Sequence, residues 1–185
     1  MIVNWKTMKN IEKIESILMQ QGFSDYMWVK PEAIVVAQWV RVKCTYGCNE
    51  YGSGTCPPNT PTVEECKRFF NEYEKGIIIR LKKIADKRLY PSDWSMEMTN
   101  NLLNVERNIF LLGFQKVFLL NQTCCFRCKV CSNNRTDCND KVKSRPSPES
   151  FAVDVYQTIK NVGLEINVIV DNPAEMNRIA ILLIE

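Results

Sequence analysis

The sequence predicts one α/β (or α+β) domain over residues 1–185, with helices packed on a mixed sheet and two cysteine-rich metal-binding loops at strand ends. Segments with helical spacing of apolar residues alternate with short β-branched runs, which indicates layered helices and strands. The 185 residues are 45% apolar and 24% charged, which suits a globular domain with a buried core. Eight of the nine cysteines fall into two tight groups that interrupt the alternation.

The N-terminal part is predicted to contain one helix, one strand and a long loop. Apolar residues recur at helical spacing between Met8 and Gly22, where the helix is expected to end. The apolar, β-branched run from Ala33 to Val40 predicts a strand that leads directly into the first cysteine group. Glycines and prolines over residues 47–61 predict a loop around that group.

The middle of the chain is predicted to continue as helix, strand and helix. Thr62 is expected to cap a helix, because Glu65 stands at the reciprocal position of a capping box. That helix should run to about Lys75, and the apolar run 77–81 should form a buried strand. After a loop over residues 86–95, a long helix is predicted over about 96–112.

The last part of the chain leads from a strand into the second cysteine group. Residues 117–120 predict that strand, and Ser147 is expected to cap a helix running from Pro148 to about Val162. Two final strands are predicted over residues 164–170 and 178–184. Because both cysteine groups follow predicted strands, we expect them to share one edge of the sheet.

Composition narrows the chemistry that the cysteines can perform. The chain contains no histidine, which excludes histidine triads, Rieske centres and mixed cysteine–histidine zinc sites. The longest aliphatic run, residues 179–184, is too short to span a membrane, and the N-terminus has no apolar signal segment. A cytoplasmic protein without membrane association is therefore expected, in which cysteines are more often metal ligands than disulfides. A net charge of +3 does not indicate nucleic-acid binding.

The second cysteine group has the spacing of an iron–sulfur site. It reads Cys125-x2-Cys128-x2-Cys131-x6-Cys138. Three cysteines at intervals of three wrap a loop around one face of a four-iron cluster, as in bacterial ferredoxins, although the fourth follows at six residues here and at three there. Zinc is the alternative metal: the spacing from Cys128 onwards resembles half of a fungal-type binuclear zinc cluster, but no second half follows. Plain buried or redox thiols are the third interpretation.

The first cysteine group has three candidate ligands and an open question about a fourth. It reads Cys44-x3-Cys48-x7-Cys56, which is not the radical-SAM spacing. Cys66 follows on a predicted helix and is either a fourth ligand or a small buried apolar residue. With three protein ligands, one iron would stay open to substrate or take its fourth ligand from elsewhere, with Cys124 as a candidate.

The joint pattern of both groups resembles a known family. The matching residues are Lys43 to Gly52, Cys56-Pro57-Pro58, Pro61-Thr62, Glu106-Arg107, Phe110-Leu111, the second cysteine group, Arg145-Pro146-Ser147 and Asp154-Val155. They resemble the cysteine-rich predicted metal-binding proteins of unknown function found mostly in anaerobic microbes. The resemblance implies seven metal ligands: Cys44, Cys48, Cys56, Cys125, Cys128, Cys131 and Cys138. Cys66 and Cys124 are not part of it, and Pro148 replaces a usual methionine.

The sequence therefore predicts an iron–sulfur protein that binds one or two 4Fe-4S clusters and transfers electrons with a redox partner protein. An enzyme with an open iron at the three-cysteine site is one alternative, and a zinc-stabilised binding module is another. Catalytic residues, substrate and oligomeric state do not follow from the sequence.

Other residues have two interpretations each. The basic stretch over residues 80–88 either docks an acidic redox partner or is a solvated strand end. Arg145 either donates to a cluster or anionic ligand, or serves a helix cap or a salt bridge. Tyr46 and Tyr51 either shield a cluster from water or pack in the ordinary way. The basic side chains are Arg80, Lys82, Lys83, Lys87 and Arg88.

Overall fold

A computed structural model describes residues 5–84, 92–166 and 175–185, which form five α-helices and one four-stranded sheet. Two short 3-10 helices cover Pro31–Ala33 and Glu149–Phe151. The α-helices are α1 Trp5–Gln20, α2 Gln38–Gly47, α3 Val63–Phe70, α4 Ser92–Leu111 and α5 Val155–Asn161. The strands are β1 Tyr26–Val29, β2 Gly76–Ile84, β3 Phe118–Leu120 and β4 Glu175–Leu183.

The sheet has the order β1-β2-β4-β3, and every neighbouring pair is antiparallel. The central pair, β2 and β4, runs from Gly76 opposite Leu183 to Ile84 opposite Glu175. The layered α/β class is confirmed, but the described strands form an antiparallel sheet where a mixed one was expected. β2 and β3 do run in the same direction. The last strand, β4, lies between them and prevents a parallel pair.

Both faces of the sheet are covered, because alternate residues of β2 and β4 point to opposite sides. Ile77, Ile79 and Leu182 pack with Leu18 of α1 and Leu102 of α4. On the opposite face, another set of residues from the same strands packs against α3, α5 and the second 3-10 helix. This second set comprises Ile78, Ile181, Leu183, Phe70, Phe151 and Ile159.

Most predicted elements are confirmed, with small differences at their ends. The capping box of α3 is present: the Thr62 side chain accepts from the Glu65 amide, and the Glu65 carboxylate accepts from the Thr62 amide. α3 ends at Phe70 instead of about Lys75. Of the loop predicted over 86–95, residues 92–95 belong to α4, and residues 86–91 lie outside the described ranges.

The strand predicted over Ala33 to Val40 is wrong. Ala33 ends a 3-10 helix, and α2 begins at Gln38. Only Val36 makes a β-bridge, with Val153. The apolar side chains of this run are buried by packing: Ile34 and Val36 contact the core on the α3 and α5 face. They do not need to form a strand to be buried there.

The single helix predicted from Ser147 to Val162 is two helices. A 3-10 helix over Glu149–Phe151 ends at Ala152, whose φ of 58° lies in the left-handed region. Asp154 then caps α5 by accepting from the Gln157 amide. Of the strand predicted over 164–170, residues 164–166 are not a strand, and the others lie outside the described part of the chain. The last predicted strand is confirmed as β4.

Candidate metal centre

The first cysteine group lies on one side of the sheet, at the end of a helix and in the loop that follows. Cys44 is in the last turn of α2, Cys48 is the residue that caps its C-terminus, and Cys56 is buried in the loop. The Ser150 hydroxyl donates to the Cys56 sulfur at 3.7 Å. This group therefore does not directly follow a strand, because the preceding run folds as helix.

Arg41 fixes the position of α2 against its surroundings. Its guanidinium donates to the Pro61 carbonyl at 2.9 Å and to the Ser150 carbonyl at 3.0 Å. One side chain thus joins the helix that carries Cys44 to the end of the first loop and to the second 3-10 helix. The positions of Cys44 and Cys56 relative to each other depend on this contact.

The three cysteines of the first group line one cleft of about 440 Å³. The opposite wall comes from the segment after β3 and from β4, including Thr123, Cys124 and Ile179. Cys124 is therefore on the same cleft as Cys44, Cys48 and Cys56, although it lies 68 positions after Cys56 in the sequence. The resemblance gave Cys124 no role, and spacing alone offered it only as one candidate; the fold places it on the cleft of the first group.

The second cysteine group occupies a continuous irregular segment that follows β3, as predicted. Cys125, Cys128, Cys131 and Cys138 line one narrow cavity of about 20 Å³. Cys131 is exposed, and the other three are partly buried. The structure thus brings the four predicted ligands of this group to one place.

Ion pairs and hydrogen bonds hold the second group, since no helix or strand contains it. The Arg127 guanidinium pairs with Asp140 at 2.7 Å and donates to the Asn100 side chain of α4 at 3.0 Å. The Cys138 sulfur lies 3.6 Å from the Ser144 hydroxyl. The contact with Arg127 holds the pKa of Asp140 below its usual range. The two ends of the segment are therefore joined to each other and to α4.

The two cysteine groups touch through Asn59. Its amide nitrogen donates to the carbonyls of Gly52 at 2.9 Å and Asn133 at 3.3 Å. Its amide oxygen accepts from the Arg135 backbone at 3.3 Å. Asn59 is a site residue that sequence reasoning missed, and a single asparagine in a loop gave no signal. The two groups were expected at one edge of the sheet because both follow predicted strands; the first begins in α2 instead, and its contact with the second is made by loops.

Two backbone amides donate to the Cys131 sulfur. They belong to Gly54 in the first loop and to Asn133, each 3.5 Å from the sulfur. Asn133 has a φ of 55°, a left-handed conformation that asparagine tolerates well. Amide donors at ligand sulfurs are one means by which iron–sulfur proteins set their reduction potential. The first loop thus contributes a hydrogen bond to the second group.

Burial raises the thiol pKa values at both groups. It raises the pKa of Cys44, Cys56 and Cys125, and it raises the pKa of Cys124 to about 12. Without a bound cation these thiols keep their protons. Metal binding must therefore displace protons from them, because the thiolate is the ligand.

Cys66 lies apart from both groups. It is fully buried on α3, within the core that contains Phe70 and Tyr73. Its thiol donates to the Pro61 carbonyl at 3.6 Å, and burial raises its pKa to about 11. Of its two interpretations, the structure supports the small buried apolar residue.

Arg145 forms a salt bridge. Its guanidinium pairs with the buried Glu106 carboxylate at 2.9–3.0 Å, and Glu106 also accepts from the Leu119 amide of β3 at 2.9 Å. The end of the second cysteine segment is thus anchored to α4 and β3. Tyr51 lines the cleft, but Tyr46 is 85% exposed and does not shield the site.

The basic stretch is partly neutralised. Arg80 pairs with Asp25 at 2.8 Å, and Lys82 lies within 4 Å of both Asp25 and Glu175. The Lys83 ammonium lies over the Trp94 ring. Lys87 and Arg88 are outside the described residues. These contacts favour a structural role over a docking role for the described part of the stretch.

The distances between donor groups bear on what the cysteines could bind. Among the described residues, no three cysteine or carboxylate side chains converge closely enough to hold one metal ion. Thiolates around a single zinc ion lie roughly 4 Å apart, since each Zn–S bond is about 2.3 Å. A cluster separates its ligands further, because each thiolate binds a different iron. The donor set, thiols without imidazole, fits a thiophilic metal.

Comparison with known proteins gives one match. The family described as "Predicted metal-binding protein (DUF2284)" matches residues 27–184. The chain belongs to this family. The match covers both cysteine groups, Cys66 and Cys124. No curated protein and no solved structure matches the chain. Within the described residues, no helix is both long and apolar enough to cross a membrane.

Proposed function

We propose that this member of the family is an iron–sulfur protein that binds two 4Fe-4S clusters, one at each cysteine group, and transfers electrons. The observation that carries the proposal is that the Cys131 sulfur accepts hydrogen bonds from two backbone amides. Its neighbours Cys125, Cys128 and Cys138 share its cavity, in the spacing that wraps a cluster. A bound cluster supplies a one-electron redox centre.

The contact between the two groups supports electron transfer between them. Gly54 of the first loop donates to a sulfur of the second group, and Asn59 joins the two segments. An electron taken from a reduced donor protein at one group has a short route to the other. It then leaves to an oxidised acceptor protein, so the protein ends the cycle unchanged.

The proposed docking surface for an acidic redox partner is the exposed side of the second group. Lys129, Val130 and Cys131 are exposed on one part of the segment, and Lys141, Val142 and Lys143 on another. Exposed aliphatic side chains between lysines suit transient association with an acidic protein surface. Electron exchange is expected to slow as ionic strength rises, because salt screens this attraction.

Metal analysis of protein purified without oxygen tests the proposal. The expected sample is brown and contains about eight irons and eight sulfides per chain. Chemical reduction should produce an electron paramagnetic resonance signal, with the two adjacent clusters coupled. A colourless protein containing zinc would overturn the proposal and support the zinc-stabilised module instead.

The second candidate function is an enzyme with an open iron at the first group. The cleft of about 440 Å³ favours it, because this volume lies in the range of small-molecule sites. Glu50 and Gln122 add polar groups to its lining. In this case, added small molecules should change the spectrum of the cluster in the wild-type protein. A spectrum that ignores them would contradict the enzyme.

A further inference from the structure

We infer that Cys124 is the fourth thiolate ligand of the first site. The inference rests on the proposed function and deepens it: the chain would contain two sites of four cysteines instead of one of four and one of three. Cys124 lines the same cleft as Cys44, Cys48 and Cys56. Like Cys66, it lies outside the seven ligands that the family resemblance implies.

The segment before Cys124 is held firmly, so its place on the cleft is defined. Asn121 and Gln122 are buried. The Asn121 backbone donates to the Pro146 carbonyl at 2.7 Å, and its side chain donates to the Thr123 carbonyl at 3.2 Å. The Gln122 side chain donates to the Ser95 carbonyl of α4 at 3.1 Å. These contacts fix the chain that leads into Cys124.

Cys124 and Cys125 serve different sites although they are adjacent. Cys124 lines the wide cleft of the first group but not the narrow cavity of the second. Cys125 lines the narrow cavity with Cys128 and Cys131 but not the wide cleft. Both residues also line a third, smaller cavity of about 10 Å³ next to α4, so they differ only in which of the two cysteine cavities they line. One peptide bond thus separates a ligand of each site.

Cys66 is the rival for the fourth position, and its surroundings exclude it. It is fully buried in the core on α3, and it does not line the cleft. Its thiol donates to the Pro61 carbonyl. To reach the first group, α3 would have to rotate and lose the packing of Phe70 against the sheet.

A fourth thiolate has a functional consequence. It occupies the iron that a three-cysteine site leaves open, so the first site would serve electron transfer and not substrate binding. The two clusters would then be joined through the peptide bond between residues 124 and 125. Each four-thiolate cluster would carry a negative charge of roughly −2 in its oxidised form, and the two charges would lie close together.

The test compares Cys124→Ala with Cys66→Ala, because these are the two cysteines outside the seven ligands that the family resemblance implies. Both variants are purified without oxygen, and iron and sulfide are counted per chain. Cys66→Ala should keep the wild-type content. Cys124→Ala should either lose about half of its iron, or keep a first cluster whose paramagnetic resonance signal responds to added 2-mercaptoethanol. The wild-type signal should not respond.

Three results would overturn the inference: wild-type iron content with an unchanged, thiol-insensitive signal in Cys124→Ala; a thiol-sensitive wild type; or loss of iron in Cys66→Ala only. Far-UV circular dichroism of the metal-free variants establishes that they fold, and Cys124→Ser provides a second, nearly isosteric variant. If the wild type contains zinc, the proposed function fails. The ligand role of Cys124 is then decided by whether its variant binds less zinc than Cys66→Ala.

Discussion

The two cysteine groups are built in opposite ways. The second is one continuous segment whose four thiols share a narrow, partly exposed cavity. The first has three thiols at the end of α2 and in the next loop, and the wide cleft that they line is closed by the segment after β3, which brings Cys124 to it. Local spacing defines the second group, whereas tertiary structure assembles the first. The difference teaches that a spacing motif finds a site of the first kind only in part.

The largest expected effect separates the groups by their metal content. Cys56→Ala should remove the metal of the first group only, and Cys131→Ala that of the second only, because each thiol lines one of the two cavities. Each variant should retain about half of the wild-type iron. Iron and sulfide analysis after anaerobic purification measures this. Complete loss in both variants would mean that the groups form one shared site.

The next effect concerns the anchor of the second group. Glu106→Gln should lower the free energy of unfolding by about 2 kcal/mol, because it leaves Arg145 without its charged partner while Arg145 keeps some contact with water. Urea denaturation of the metal-free protein measures the change.

The matched control for Glu106 is Glu64→Gln. Glu64 pairs with Lys67 on the exposed surface of α3. Its substitution should cost less than about 1 kcal/mol, because water screens exposed pairs. Equal losses in the two variants would show that the Glu106 pair anchors nothing.

A third effect compares the arginines that support each group. Arg127→Met should speed metal release from the second group about tenfold, and Arg41→Met should do so for the first, since residues that hold ligands in place tune metal affinity. A chelator chase followed by paramagnetic resonance resolves the two clusters. If either variant destabilised both clusters equally, the groups would not be supported independently.

The smallest expected effect is on stability and comes from the N-terminal cap of α3, the helix that follows the first cysteine group. Thr62→Ala should lower the free energy of unfolding by about 1 kcal/mol, because the capping box of α3 is lost. Metal content should stay unchanged, since α3 carries only the non-ligand Cys66. Thr45→Ala, at an exposed threonine in α2, is the control with little expected change. A loss of metal in Thr62→Ala would return Cys66 to the ligand set.

The same variant has a pH signature. Hydrogen bonds from Thr62 lower the pKa of Glu65. The capping contribution is therefore present above the ordinary glutamate pKa and disappears as the pH falls through the lowered value. In Thr62→Ala the pKa of Glu65 should rise, which a titration followed by nuclear magnetic resonance detects. An unchanged pKa would contradict the capping contact.

Local signals predicted most of the fold. The helical periodicity of α1 and α4, the capping box of α3 and the aliphatic strands β2 and β4 depend on neighbours in the sequence. The strand predicted over residues 33–40 is wrong because its β-branched residues are buried without forming a strand. Only Val36 makes a bridge, with Val153. Ala152 interrupts a predicted helix because its carbonyl accepts from the distant Ala37 amide.

The candidate site followed the same rule. The four thiols of the second group share a cavity, as their spacing predicts. Cys124 and Asn59 could not be placed from the sequence, because their contacts reach residues far away in the chain. Adjacent cysteines that face different cavities give no periodic signal. Only the fold distinguishes Cys124 from Cys66.

The apolar cores on the two faces of the sheet bear on whether this protein needs metal to fold. Of the nine cysteines, only Cys66 belongs to the two described apolar clusters on the faces of the sheet. The hydrophobic driving force for folding is therefore available before any metal arrives, unlike in zinc fingers, where metal and folding are inseparable. We therefore expect the chain to fold without metal, so that protein made in the absence of metal could still bind it later.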